Sequence, residues 1–240
     1  MKVLAMDTSA IVATVAIMED DKLICEMILN HKKTHSQKLM PMVEEALMSS
    51  DLTLQDIDVF SAAAGPGSFT GLRIGISTVR ALAQAMGKKV VGINTLDGLA
   101  FNVPYFPGRI CPIMDARRDQ VYTAVYRWDQ GRMERISEYM GLALEEYLEQ
   151  LDKEEEPILF LGDGVPVHRD FILQRLGKKA FLAPASCQLQ RAASIAALAM
   201  EKARQGEAKD PMELEPFYLR KSQAEREYEK RCRLEKGRAE

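Results

Sequence analysis

A glycine-rich run between a predicted strand and a predicted helix has the clearest chemical meaning in this sequence. It reads Gly65-Pro66-Gly67-Ser68-Phe69-Thr70-Gly71-Leu72-Arg73-Ile74-Gly75 and follows the apolar residues 59–64. Such a turn, at the start of a helix, can present backbone N–H groups to an anion. Thr70 is the predicted N-cap. A tight turn without a ligand explains the run equally well, since its spacing matches neither a Walker A loop nor a dinucleotide fingerprint.

The predicted elements around this run alternate between strands and helices. Short apolar stretches and the acidic corner at residues 20–21 predict three strands with a hairpin. The predicted elements are strands over residues 2–7, 12–19 and 22–29, a helix over 36–49, a strand ending at 64, a helix over 70–86, a strand over 90–93 and a helix over 95–103. Three antiparallel strands followed by βαβ units indicate a ribonuclease-H-like α/β lobe with a mixed sheet.

The second half of the chain repeats this opening. Met114-Asp115 echoes Met6-Asp7 at the end of an apolar strand. Further strands are predicted over residues 121–126, around 135–139 and ending near 161, and an alanine-rich helix is predicted over 191–205. The matching order predicts two lobes of related fold, at residues 1–104 and 105–206. A C-terminal segment with a charged tail occupies 207–240.

The composition narrows the functional classes. The net charge of −3 argues against a broad nucleic-acid surface. No apolar run approaches the roughly 20 residues that span a bilayer, and the first residues predict a strand rather than a signal peptide. Four scattered cysteines predict reduced thiols in a cytoplasmic protein. The charged residues from Lys221 onwards predict a solvated tail, with a basic arm that touches RNA as the alternative.

Several motifs together resemble the bacterial TsaB family, also called YeaZ. They are Asp7-Thr8-Ser9, His35-Ser36 before a helix with Leu39-Met40-Pro41, the run at 65–75, Asp115-Ala116-Arg117-Arg118 before Val121-Tyr122, and Phe217-Tyr218-Leu219-Arg220. The resemblance covers nearly the whole chain and implies the two-lobed α/β fold of the actin-like ATPase superfamily. It also implies a role in forming N6-threonylcarbamoyladenosine at position 37 of tRNA. Within this role, it implies a non-catalytic subunit that binds the homologous catalytic subunit TsaD.

The resemblance has consequences for assembly as well. The ATPase TsaE is expected to join the complex, and the chain is expected to form a homodimer through the same helical surface when TsaD is absent. No membrane partner is expected, and contact with tRNA is expected to be indirect or weak.

The cleft between the two lobes is the candidate site for an anion or nucleotide. Its predicted residues are Asp7, Thr8, Ser9, Gly65, Pro66, Gly67, Ser68, Thr70 and Asp115. An actin-like ATPase needs carboxylates in both lobes and glycine-bearing hairpins that let phosphates approach the backbone. Here both hairpins lack glycine, and the second carries Arg117 and Arg118. We therefore predict weak or absent nucleotide hydrolysis and no cofactor. Gly71 and Gly75 are predicted to allow close packing of their helix.

Metal and peptidase chemistry are poorly supported by the residue pattern. His31 and His35 lie four residues apart, which suits a metal only on a helix, and the third histidine, His168, belongs to the other half. No metal site is predicted. The serine at position 68 does not stand in a Gly-x-Ser-x-Gly elbow, so a glycoprotease-type peptidase is a weak alternative.

Two helices carry more apolar surface than one sheet requires. On the predicted helix 36–49, two stripes at helical spacing lie side by side, and the helix 70–86 is apolar around much of its circumference. Either both stripes are core, or a partner subunit covers part of them in a four-helix contact. The residues predicted for a partner or dimer interface are His35, Ser36, Leu39, Met40, Val43, Leu47, Leu72, Ile76, Val79 and Arg80.

Two functional hypotheses from different classes are consistent with these residues. The preferred one is a non-catalytic scaffold that holds the cleft of its catalytic partner in a productive shape, by a shift of population. The alternative is an enzyme of the same fold, either an ATPase or a small-molecule kinase.

Overall fold

The computed structural model describes residues 1–31 and 35–220. The predicted charged tail from Lys221, with Cys232, lies outside these residues. Among the residues described, Cys25, Cys111 and Cys187 are unpaired. No helix in the described part of the chain is long and apolar enough to cross a membrane.

The first half of the chain forms a five-stranded sheet. Its strands are β1 (Lys2–Asp7), β2 (Ala13–Glu19), β3 (Lys22–Leu29), β4 (Val59–Gly65) and β5 (Lys89–Asn94). They lie in the order β3-β2-β1-β4-β5, with β1 antiparallel to β2, β2 antiparallel to β3, and β1, β4 and β5 parallel. This topology confirms the predicted ribonuclease-H-like order.

Helices cover both faces of this sheet. They are α1 (His35–Met48), α2 (Phe69–Met86) and α3 (Thr95–Ala100), which ends three residues earlier than predicted. The buried sides of α1 and α2 pack against Leu4, Val15 and Phe60 in the largest apolar cluster. Gly87 ends α2 in the left-handed conformation, with φ of 63°.

The second half forms a second sheet with the same order. Its strands are β6 (Arg109–Asp115), β7 (Gln120–Thr123), β8 (Tyr126–Asp129), β9 (Arg132–Arg135), β10 (Met140–Ala143), β11 (Ile158–Leu161) and β12 (Ala180–Leu182). Its main path is β10-β7-β6-β11-β12, which matches the first sheet strand for strand in both order and direction. The predicted repeat of the element order is confirmed by this topology.

The prediction of single second and third strands in this half was wrong. The predicted strand at 121–126 is broken into β7 and β8 at Ala124 and Val125. The predicted third strand at 135–139 shares only Arg135 with β9 and otherwise covers the residues between β9 and β10. The Val125 amide donates to the Ser137 hydroxyl at 2.8 Å, and the Ile136 amide donates to the Val125 carbonyl at 2.8 Å. These bonds replace the ladder contacts that a continuous strand would make, so the chain forms an extra hairpin.

The remaining helices are α4 (Leu144–Asp152), α5 (Gly164–Leu176), α6 (Ala185–Gln188) and α7 (Ala192–Arg204). Although α7 follows the second sheet in sequence, it packs on the first sheet against Val3, Ala5 and Val91. Its first turn is held there by Glu26, whose carboxylate pairs with Arg191 and accepts from the Ala193 amide at 3.0 Å. The boundaries at residues 104 and 206 remain predictions, and we propose that α7 belongs with the N-terminal lobe.

One half-buried carboxylate joins the two lobes. Asp97, in the first turn of α3, accepts hydrogen bonds from Tyr126 at 2.7 Å and from Tyr139 at 2.9 Å, both on the second lobe. Burial, with Asp97 alongside, raises the pKa of Tyr126 well above its usual value. Both phenols therefore stay protonated and keep donating.

Candidate functional site

A cleft of about 910 Å³ lies between the two lobes. Its walls come from the turn after β1, the glycine-rich run, the turn after β6 and the start of α5. The C-terminal residues 217–220 also enter it. The lining residues that were predicted for the site are Ser9, Pro66, Gly67, Ser68, Thr70 and Asp115.

The glycine-rich run forms a tight turn into α2, as predicted, but its cap differs. Ser68 is the N-cap, and its hydroxyl accepts from the Gly71 amide at 3.3 Å. Thr70 was predicted for this role and lies instead inside the first turn of α2, because the helix begins one residue earlier, at Phe69. Gly65 has φ of 122°, a conformation that other residues rarely adopt.

The turn packs directly on the hairpin that follows β1. A Cβ at Gly71 would lie 2.0 Å from the Thr8 carbonyl oxygen, and one at Gly75 would lie 2.6 Å from the Thr8 hydroxyl. The Thr8 hydroxyl donates to the Gly71 carbonyl at 2.7 Å. The predicted role of Gly71 and Gly75 in close packing is confirmed by these distances. Gly67 allows a similar close approach, because a Cβ on Gly67 would lie 2.5 Å from the Ser9 carbonyl oxygen.

Three backbone amides of the turns around the cleft donate to acceptors inside the protein. The Ser68 amide donates to the Ser9 carbonyl at 2.6 Å, and the Ser9 amide donates to Asp7 at 2.7 Å. In the second lobe, the Arg117 amide donates to Asp115 at 2.8 Å. An amide that is already bonded offers little to a phosphate. These contacts favour the interpretation of the run as a packing turn, and its role as an anion cradle remains a prediction.

Two carboxylates, those of Asp115 and Asp163, line the cleft, and Asp7 lies near them without reaching the cleft surface. Asp7 is buried, and burial raises its pKa. Asp115 is exposed at the mouth. Asp163 precedes α5 and was not predicted from the sequence, although the Gly-Asp-Gly turn after a strand marked it. Burial, together with the charges of Asp115 and Asp7, raises the pKa of Asp163 to about 6. One of its oxygens has no hydrogen-bond partner among the described residues.

The three histidines lie in separate places, and the charge of His35 acts against burial to lower the pKa of Asp7. The His35 ring bonds the Ala10 carbonyl oxygen at 2.8 Å and so fastens α1 to the hairpin after β1. His31 is exposed and His168 lies on α5. Within residues 1–31 and 35–220, no group of three His, Cys, Asp or Glu side chains could hold a metal ion.

The chain returns to the cleft near its end, a feature that no pattern in the sequence predicted. Residues 217–220, here called the strap, run along the glycine-rich turn and line the cleft. The Phe217 amide donates to the Ala64 carbonyl at 2.6 Å, and the Tyr218 ring stacks on Phe69 at 4.2 Å between centroids. The strap therefore closes one side of the cleft.

The helical surface predicted for a partner is largely internal. The following predicted interface residues are buried within the protomer: Leu39, Val43, Leu47, Leu72, Ile76 and Val79. Their burial favours the alternative in which both stripes are core, because the first sheet, with Leu214 of the C-terminal segment in the same apolar cluster, already encloses them. Of the remaining predicted residues, Ser36 is exposed, and His35, Met40 and Arg80 are half-buried.

A groove between α1 and α2 remains open beside these residues. It has a volume of about 510 Å³. Its lining residues are Ser36, Leu39, Met40, Phe69, Thr70, Arg73, Ile74, Ser77 and Thr78. Met40 and Ile74 supply its accessible apolar surface, and Arg73 supplies a charge at its edge.

Comparison with known proteins places the chain in a family. The family model for TsaD, described as tRNA N6-adenosine threonylcarbamoyltransferase, matches residues 22–228. The tRNA threonylcarbamoyladenosine biosynthesis protein TsaB of Bacillus subtilis is 38% identical over 94% of this chain and 96% of its own length. The chain belongs to the TsaB family.

Solved structures agree with this assignment and with the fold. YeaZ from Pseudomonas aeruginosa, at 27% identity, superposes with a TM-score of 0.73 over 91% of this chain and 99% of its own. Component A of (R)-2-hydroxyglutaryl-CoA dehydratase from Acidaminococcus fermentans has a TM-score of 0.50 at 10% identity, over 85% of this chain and 99% of its own, which is a likeness of fold alone. The chain has the two-lobed actin-like ATPase fold predicted from its sequence.

The close packing of α2 predicts a strong effect of one added methyl group. Gly71→Ala should lower the free energy of unfolding by about 3 kcal/mol, since the new Cβ would overlap the Thr8 carbonyl. Ser77→Ala, on the exposed side of the same helix, should stay within about 0.5 kcal/mol. Urea unfolding measures both, and a wild-type midpoint for Gly71→Ala would contradict the observed approach.

The raised pKa of Asp163 predicts a pH-dependent gain in stability on its removal. The folded state holds this proton up to a pKa of about 6, whereas the usual value is 3.8, so the wild type loses stability as the pH rises between these values. The free energy of unfolding of Asp163→Asn should therefore exceed that of the wild type by about 3 kcal/mol well above pH 6, and should show no advantage near pH 4.

Thermal unfolding from pH 4 to 8 measures this difference. The matched control is Asp170→Asn, an exposed carboxylate on α5, which should follow the wild type throughout. An advantage of Asp163→Asn that does not grow with pH would show that the carboxyl is not under strain in the cleft.

Proposed function

We propose that this protein is a non-catalytic subunit in the biosynthesis of N6-threonylcarbamoyladenosine in tRNA. In this proposal it works in the cytoplasm, binds a homologous TsaD-like catalytic subunit, and is joined by a TsaE-like ATPase. Alone, it forms a homodimer through the surface that the catalytic subunit otherwise covers. Its contact with tRNA is indirect.

The open groove between α1 and α2 is the observation that carries this proposal. It presents Met40 and Ile74 at the surface, next to the guanidinium group of Arg73. Methionine adapts its shape to a partner, and arginine is enriched at the centres of interfaces. A homologous subunit could place its own apolar helix in this groove. The docking surface proposed here is therefore narrower than the one predicted from the sequence.

Several backbone groups that would face a phosphate are already hydrogen-bonded within the protein, and this supports the non-catalytic part of the proposal. The fold class implies a magnesium nucleotide in the cleft. The amides of Ser9, Ser68 and Arg117 already donate to protein acceptors, and the gaps at Gly67 and Gly71 are filled by the backbone of the first hairpin. These residues therefore do not fit a nucleoside triphosphate. The subunit would act by holding its partner in an active conformation, which needs no reaction of its own.

A change of charge in the groove tests the docking surface. The double variant Met40→Glu and Ser77→Glu should weaken binding to the TsaD-like subunit by about 100-fold, since it buries two like charges in the interface. Both side chains reach the surface, so the thermal midpoint should stay near that of the wild type. Binding is measured by titration calorimetry of the purified subunits.

Two further variants act as controls for this experiment. Met40→Leu keeps an apolar side chain of similar volume and should bind normally. Val167→Glu places a charge on an exposed apolar residue of the second lobe and should also bind normally. A folded double variant that binds with wild-type affinity would remove the groove from the proposal.

Calorimetry with ATP and Mg²⁺ separates this proposal from an ATPase or kinase. We expect no saturable heat up to about 1 mM nucleotide, a limit of about −4 kcal/mol in binding free energy. The carboxylates of Asp115 and Asp163 in the cleft, with the buried Asp7, are the feature that favours the alternative. Tight binding with turnover that disappears in Asp7→Asn would overturn the non-catalytic assignment.

A further inference from the structure

The strap joins the glycine-rich turn to the second lobe through a short series of aromatic contacts. On the first lobe, the Phe217 amide bonds the Ala64 carbonyl at 2.6 Å, and a Cβ on Gly65 would lie 2.2 Å from the Phe217 carbonyl oxygen. This approach is possible only because position 65 is glycine. The backbone of Phe217 is thus fixed to the end of β4.

The side chain of Phe217 points to the other lobe. Its ring meets Tyr139 edge to face, with 5.5 Å between the ring centroids. Tyr139 is one of the two tyrosines that donate to Asp97. The last strap residue, Arg220, lies beside β10, where a Cβ on Gly141 would be 3.6 Å from the Arg220 side chain. The strap therefore contacts both lobes within four residues.

Tyr218, which follows Phe217 in the strap, contacts two residues that line the α1–α2 groove. Its ring stacks on Phe69 with an interplanar angle of 14°, and its hydroxyl accepts from Arg73 Nε at 3.3 Å. The Arg73 guanidinium also lies over the Phe69 ring, 4.4 Å from the centroid. Phe69 and Arg73 both line the groove, whereas Tyr218 lines only the cleft.

We infer that Tyr218 is a positioning residue for docking, and that the strap couples the α1–α2 groove to the second lobe. With the strap seated, the stack and the hydrogen bond hold Phe69 and Arg73 in one arrangement at the groove edge. A long arginine side chain loses considerable freedom when it is fixed at an interface, and this ordering is already complete before the partner arrives. Strap seating therefore favours docking.

The coupling is reciprocal by thermodynamic linkage. A partner that binds the groove with Phe69 and Arg73 in this arrangement must stabilise the seated strap by the same factor. Through Phe217 and Tyr139 that effect reaches the second lobe. This part of the inference rests on the proposed function, because it takes the occupant of the groove to be the TsaD-like subunit.

The binding experiment compares three variants of the full chain. Tyr218→Ala removes the stack and the hydrogen bond, and should weaken binding of the TsaD-like subunit by about tenfold, within the roughly 5–150-fold range of such couplings. Tyr218→Phe keeps the stack and should stay within about threefold of the wild type. Phe181→Ala removes an exposed aromatic ring on β12 and serves as the matched control, with wild-type affinity expected.

The second experiment needs no partner. Hydrogen exchange of the isolated protein reports strap seating at the Phe217 amide and the state of the second lobe at residues 140–143. Arg73→Ala, a change at the groove, should speed exchange at the Phe217 amide by about tenfold and also speed exchange in β10. Lys89→Ala, on the exposed end of β5, should change neither.

The two experiments distinguish a failure of the proposed function from a failure of the coupling. Should the wild type not bind the TsaD-like subunit, the proposed function fails, and the exchange experiment alone decides whether the strap couples groove and lobe. Should Arg73→Ala leave exchange unchanged at both places, the coupling is overturned whatever the partner does. Normal affinity of Tyr218→Ala, with rapid exchange at Phe217, would equally show that the strap does not position the groove.

Discussion

The structure depends on one close approach between the first turns of α2 and the hairpin after β1. Three glycines, at positions 67, 71 and 75, leave room for the backbone and side chains of Thr8 and Ser9. A side chain at any of them would push the helix away from the sheet. The buried Thr8 hydroxyl stabilises this approach by donating a hydrogen bond to the Gly71 carbonyl. The position of α2 on the first lobe follows from this contact.

The same approach has opposite effects on the two candidate surfaces. In the cleft, it brings the Ser9 carbonyl to the Ser68 amide and so removes a donor that a phosphate would need. On the outside, it fixes the helix face that carries Phe69, Arg73 and Ile74 beside α1. A helix that is locked to its sheet offers a rigid surface to a partner. Loss of a ligand cradle and gain of a docking surface thus have one physical origin.

The sequence pattern predicted the ribonuclease-H-like order of the first lobe, its repeat in the second lobe and the packing role of Gly71 and Gly75, but not the extra hairpin of the second lobe. It could not predict which apolar stripes are covered, because the cover of Leu47 and Val79 includes Leu214 from far along the chain. The break at Val125 depends on a hydrogen bond to Ser137, which no local pattern reveals. The strap has neither strand nor helix periodicity, so only tertiary contacts define it.

Other contacts already hold the two lobes together, and this bears on the role of the strap. Asp97 accepts hydrogen bonds from Tyr126 and Tyr139 across the lobes. The strap is therefore not needed to keep the lobes in contact. Its aromatic residues lie instead where the groove, the cleft and the second lobe meet, and a contact at that point can transmit a change at one of these surfaces to the others.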